Sequence, residues 1–220
     1  MTIKSFISGG AVGSDTMFGM LAKEKGIPCF NMSFNLHNCS SVGKRVVLSQ
    51  EQLDSRKEDM EIIRKVLHKK VGKNSYINNL MLRNTFQIKS AKGNLTDLVI
   101  AIGEVEVNYH NVIGGTGYAI CYAQYCGVPV VLLNKNDLKF YFYDKAVKKF
   151  VLMKKGDLQN LLPKEEKDLI ITTIGSREIN EEKIKPRINR LIETICKLKT
   201  DIYDLPDEEV PVLMVQGTLY

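Results

Sequence analysis

An open α/β sheet, mostly parallel and with helices on both faces, is the fold class this sequence predicts, on three observations. Strand and helix patterns alternate along the chain, the strands are continuous apolar runs, and glycine turns recur between a strand and the helix that follows it. The chain has 220 residues, 44% of them hydrophobic, enough for one sizeable core. A single domain over 1–220 is therefore expected, with a strand–turn–helix extension from about 168 to 220.

Taken in order, "IKSFIS" reads as a buried strand, and "DTMFGMLAKEKG" as a helix with apolar residues at helical spacing that ends at Gly26. "IPCFNMSF" resumes extended structure and completes a first βαβ unit. Residues 33–50 are polar and read as irregular. Charged helices are expected from about Gln52 to Lys69 and from about Ser75 to Ser90, broken at Gly72. "DLVIAIG" has the uninterrupted apolarity of a strand buried on both faces, "EVEVNYHNVIGGTG" reads as a loop, "YAICYAQYCG" as a packed helix closed by Gly127, and "VPVVLLN" as another strand. "KFYFYD" and "KKFVLM" suggest a hairpin at a sheet edge. The stretch from Asp168 to Leu198 repeats the strand, turn and helix plan, and the tail "DEEVPVLMVQGTLY" has strand-like stretches.

Composition narrows the function classes. The net charge is +6, but Lys and Arg are interleaved with acids, which argues against a nucleic acid partner because tracking phosphates needs a continuous basic face. The balance suits attraction of small anions. Five scattered cysteines without a C-x-x-C pair suggest core thiols in a reducing compartment, with no metal site. "MTIKSF" is not a secretory h-region and no run of about 18 apolar residues occurs, so a cytoplasmic protein with no membrane partner is expected.

Three turns carry the functional argument: "SGGAVGSD" (8–15), "GGTGYA" (114–119) and "TIGSREI" (173–179). In open α/β sheets ligands bind outside the carboxyl ends of strands, where helix N-termini present free N–H groups, and glycine lets a ligand reach the backbone. The competing reading is that a tight turn needs glycine for its backbone alone. Neither the G-x-G-x-x-G spacing of dinucleotide folds nor a P-loop is present.

"SGGAVGSD", followed at 112–133 by "VIGGTGYAICYAQYCGVPVVLL", resembles the SLOG superfamily of Rossmann-like nucleotide-binding proteins. That superfamily includes the LONELY GUY phosphoribohydrolases, the molybdenum-cofactor carrier-like proteins and DprA-type proteins. "TIGSREI" is similar to a "GIGTRE"-type turn of uncharacterised phage and bacterial relatives. The resemblance covers roughly residues 3–134. It implies a first phosphate or ribose loop of Gly9, Gly10 and Gly13, with Asp15 accepting from sugar hydroxyls or a base, and Ser8 and Ser14 in the same turn are further ligand-binding candidates. It also implies a phosphate cradle of Gly114, Gly115, Thr116 and Gly117, and homodimers or larger homo-oligomers. LONELY GUY enzymes place an acid on the helix after P-G-G-x-G-T, but Ile120 and Cys121 stand here, so N-glycosidic chemistry would have to recruit Asp15 or Glu178.

Other candidates read two ways. Arg83, beside Asn84 in "LMLRNTFQI", wants an anionic partner among apolar neighbours, or it snorkels to the surface. Gly175, Ser176 and Arg177 form the third turn, with Arg177 the better phosphate ligand. His37 is either a pocket residue or an ordinary loop histidine, and Tyr118 either stacks on a base or packs in the core. These readings lead to a binder of a nucleotide or nucleotide-derived signal, ADP-ribose-like or cyclic, that carries or sequesters its ligand without a cofactor. Sequestration is expected over sensing, since no output domain is evident in the chain. The alternative is a nucleotide N-glycosidase or deoxyribosyltransferase.

Overall fold

Continuous apolar strands need cover on both faces, and the chain provides it. The computed structural model describes residues 2–68 and 74–198. Strand β1 (Ile3–Ser8), helix α1 (Ser14–Glu24) and strand β2 (Cys29–Phe34) form the first parallel unit, and β3 (Lys44–Leu48) pairs parallel with β2. Helices α2 (Gln50–Asp54), α3 (Lys57–Val66) and α4 (Ser75–Ile88) lead to β4 (Leu98–Gly103), then α5 (Gly115–Tyr125) and β5 (Val130–Asn134). An antiparallel hairpin of β6 (Phe140–Asp144) and β7 (Lys149–Leu152) follows, then the short α6 (Asp157–Leu161), β8 (Leu169–Gly175) and α7 (Glu181–Lys197).

These strands make one sheet in the order β3-β2-β1-β8-β4-β5-β6-β7, parallel except for β6 and β7. Each face carries its own core. Val99, Ala101, Val130 and Leu132 pack against α3, α4 and α5, while Leu98, Ile100, Ile102, Val131 and Leu133 pack against α1 and α7. Leu98, Val99, Ile100 and Ile102 are fully buried, and each stabilises the fold by about 1.5–3 kcal/mol relative to exposure. This is the Rossmann-like α/β architecture expected from the alternation.

Several expectations change. The stretch 33–50 is not irregular throughout: it contains β3, an edge strand whose side chains are mostly exposed and which therefore lacks an apolar alternation. The helix expected over 52–69 is two helices. Ser49 starts α2 with a capping box, and at its end Ser55 Oγ donates to the Gln52 carbonyl while Arg56 turns inward to the carbonyls of Lys89 and Ser90. The strand–turn–helix expected as an extension exists as β8 and α7, but β8 lies mid-sheet between β1 and β4. The break at Gly72 and the tail from 207 lie outside the described residues. Among the described residues no helix is long and apolar enough to cross a membrane.

Candidate functional site

Because β1, β8 and β4 are neighbours in a parallel sheet, the turns that follow them come out side by side at its carboxyl edge. The first and third are locked together. Ser14 donates through both its amide and its hydroxyl to the Ser176 carbonyl, at 3.1 and 2.8 Å. A Cβ on Gly175 would fall 2.3 Å from Ser14 Cβ, and one on Gly13 would fall 2.1 Å from the Arg177 carbonyl oxygen.

The space above the first turn is taken by protein. A Cβ on Gly9 would lie 1.8 Å from Arg83 Nη1 and 2.7 Å from Asp15 Oδ2, and one on Gly10 would lie 2.3 Å from Cys39 Sγ. Ser8 is buried, and its hydroxyl accepts from the Gly10 amide at 3.3 Å. In this structure the missing Cβ of Gly9 makes room for a guanidinium from α4. Arg83 does not snorkel outward. It is buried, its anionic neighbour is Asp15, and its Nη1 donates to Gln87 Oε1 at 3.1 Å. Asn84 is buried beside it on α4.

Neither Asp15 nor Arg83 is fully satisfied. Asp15 Oδ2 accepts from the Ala11 amide at 3.1 Å, whereas Asp15 Oδ1 and Arg83 Nε are buried without a hydrogen-bond partner. Burial pushes the Asp15 carboxyl up to about 6, and Arg83 and the amides of Ala11, Gly9 and Gly175 offset only part of that. Burial likewise lowers the pKa of Arg83, against the pull of Asp15. Buried polar atoms left open in this way are uncommon in folded proteins.

At the second turn the space is open. Gly114, with φ 83°, caps α5 in a conformation that L side chains rarely adopt, and no atom lies within 4 Å of where its Cβ would be. Gly115 would meet only Met81 Cε, at 3.7 Å. The Gly115 and Thr116 amides and the Thr116 hydroxyl have no hydrogen-bond partner among the described residues, and the first turn of α5 carries no acid. Gly117 serves packing instead, since a Cβ there would strike the Val112 carbonyl oxygen at 2.1 Å. Tyr118 is half-buried against the core.

On the other side of the first turn, His37 is buried and stacks on Phe34, with ring centroids 5.1 Å apart. Burial, then Arg83, Arg45 and Arg177, push its ring down to about 4. Arg177 and Glu178 are exposed on the segment between β8 and α7. Sequence reasoning missed Arg45 and Ser33. Arg45 sits on the edge strand β3, where nothing in the local pattern marks it.

No protein-family model matches the sequence, and no curated protein matches it. Among solved structures the fold is similar to one from Syntrophus aciditrophicus SB described as a "putative molybdenum carrier protein". The two are 11% identical with a TM-score of 0.46, over 87% of this chain and 94% of that one. The site geometry described above is this chain's own.

Proposed function

We propose that the chain binds a phosphate-bearing nucleotide or nucleotide-derived small molecule at the carboxyl edge of the sheet and holds it unchanged, as a carrier or a sequestering protein. The observation that carries this reading is the N-terminus of α5, where Gly114 and Gly115 face open space with unpartnered amides. Such an end combines free N–H donors with the positive pole of the helix, which is what a phosphate needs. Thr116 adds a hydroxyl, and Arg83 and Arg177 add positive charge along the same edge. The resemblance of both turns to SLOG sequences supports a nucleotide over a bare anion. The likeness of the third turn to phage-borne relatives favours removal of a defence messenger as the biological use, with a homo-oligomer as the working form.

The test is to incubate the purified chain with a filtered nucleotide extract, wash it, denature it, and identify what is released by mass spectrometry. One intact species at stoichiometric yield is expected, and Gly115→Val should lose it, because the valine side chain would occupy the phosphate position. Wild-type recovery by that variant would remove the proposal.

A second reading has one observation in its favour. A buried carboxyl titrating at about 6, with one oxygen unpartnered, lies in the range useful for general acid–base chemistry. Asp15 is the acid an N-glycosidase would use. Release of free base over time, abolished in Asp15→Asn while binding persists, would establish that activity.

A further inference from the structure

The segment after β2 contains a hydrogen-bond chain that the glycine turns do not use. Arg45 Nε donates to Ser33 Oγ at 3.0 Å, and its Nη2 donates to the carbonyls of Phe34 and His37 at 3.0 and 3.2 Å. An arginine N–H can only donate, so Ser33 Oγ accepts there and has a single proton left to place. His37 Nδ1 lies 3.1 Å away and the Phe34 carbonyl 3.5 Å. If Ser33 gives that proton to the shorter contact, Nδ1 is an acceptor and the ring's own proton sits on Nε2; the opposite tautomer would have Nδ1–H donate to Ser33 Oγ, with the hydroxyl proton on the Phe34 carbonyl or Cys39 Sγ.

The ring is held in place. Phe34 stacks on it with planes 14° apart, and the Tyr76 ring stands 6.5 Å off. His37 is only 5% exposed, yet Nε2 has no partner among the described residues and is not sealed from solvent. On the Nε2–H tautomer this is a single N–H without a protein partner on a ring that is otherwise buried.

We infer that Arg45, Ser33 and His37 form a relay that fixes His37 as a neutral Nε2–H donor, and that this donor takes an anionic oxygen of a ligand at the carboxyl edge of the sheet. The ligand half of this inference rests on the function proposed above; the tautomer does not.

The ionisable groups around the ring agree with this assignment. Arg45 approaches from β3, Arg83 and Tyr76 from α4, Arg177 from the segment after β8, and Cys39 from the same loop as His37, near Ser33. Burial and three cations oppose an imidazolium, so the ring stays neutral throughout the ordinary working range. A neutral donor can hold an anionic oxygen without first taking up a proton. It also offers nothing to a ligand N–H, so the position discriminates for acceptor oxygens by leaving a donor unpaired. Arg45 and Ser33 act through His37 and are positioning residues.

The test uses the full chain with ¹⁵N-labelled histidine, and inorganic pyrophosphate as the probe. In the free protein, long-range ¹⁵N–¹H correlation, with His37 assigned by comparison with His37→Gln, should show the Nε2–H tautomer unchanged between about pH 5 and pH 8. Ser33→Ala should give a mixture of tautomers. An Nδ1–H tautomer in the wild type, or titration of His37 near the ordinary histidine value, overturns the relay whatever the protein binds. For the ligand half, calorimetry should show about a tenfold loss of pyrophosphate affinity in His37→Ala and near-complete rescue in His37→Gln, whose amide offers an N–H close to the Nε2 position. Equal affinity of His37→Ala and wild type makes the relay purely structural and overturns the inferred ligand contact. Absence of wild-type binding, with the tautomer as stated, overturns the ligand contact together with the phosphate-binding proposal and leaves the relay standing.

Discussion

The first and second glycine turns look alike as strings, yet they use their bare backbone for opposite ends. At the first, Gly9 makes room for the Arg83 guanidinium and Gly13 for the Arg177 carbonyl, so the missing side chains are replaced by other parts of the same protein. At the second, Gly114 and Gly115 border open space, and the amides behind them have no acceptor among the described residues. A glycine-rich turn is therefore evidence of close approach, and only the tertiary contacts tell whether the approaching group is the protein's own or a ligand's.

That contrast can be broken by mutation. The largest effect is expected at the guanidinium itself. Arg83→Ala empties the buried space above Gly9, removes the hydrogen bond to Gln87 and takes away the cation that acts on Asp15, so urea unfolding should show a loss of about 3–5 kcal/mol. A loss under about 1 kcal/mol would mean that the first turn does not depend on Arg83.

Next is the pH dependence of Asp15. Its pKa is raised from 3.8 to about 6, so its contribution to stability is fully present below the lower value and is lost as pH rises through the upper one. Asp15→Asn does not titrate. Its stability relative to wild type should therefore improve by about 3 kcal/mol between about pH 3 and pH 7, and a flat difference across that window would contradict the burial argument. His37 carries the opposite sign. Its pKa is depressed to about 4, so the wild type loses stability as pH falls from the ordinary histidine value toward 4, and His37→Gln should remove that slope.

Smaller still is Gly9→Ala, expected to cost about 1–3 kcal/mol by forcing Arg83 aside. In an Arg83→Ala background most of that cost should vanish, because the contacting atom is gone. Additive costs in the double mutant would show that the glycine is needed for backbone reasons alone. The smallest stability change belongs to Gly115→Ala, within about 0.5 kcal/mol, since the new methyl meets only Met81 Cε at 3.7 Å. A large destabilisation there would mean that the second turn, like the first, is filled by the protein itself.

The strands and the helices after them were readable because burial on both sheet faces forces continuous apolar runs, as in Leu98–Gly103 and Val130–Asn134, and because helix ends are punctuated by Gly26 and Gly127. β3 was not readable: an edge strand with Lys44 and Arg45 at its start buries too little to leave a pattern. The candidate residues of the three turns were likewise visible as glycines, but Arg45 and Ser33 were not, since their role lies in a contact between β2 and β3.

Apolar periodicity and turn residues are local properties, and they alone were enough to specify an α/β sheet with glycine turns at its carboxyl edge. Strand order is not local. The last strand, β8, enters between β1 and β4 and so brings the third turn between the other two, a placement set by which hydrophobic faces can be covered together. The meaning of each glycine was decided at the same level, because a missing side chain leaves a space whose occupant comes from elsewhere in the fold: Arg83 of α4 above Gly9, and no protein atom above Gly114.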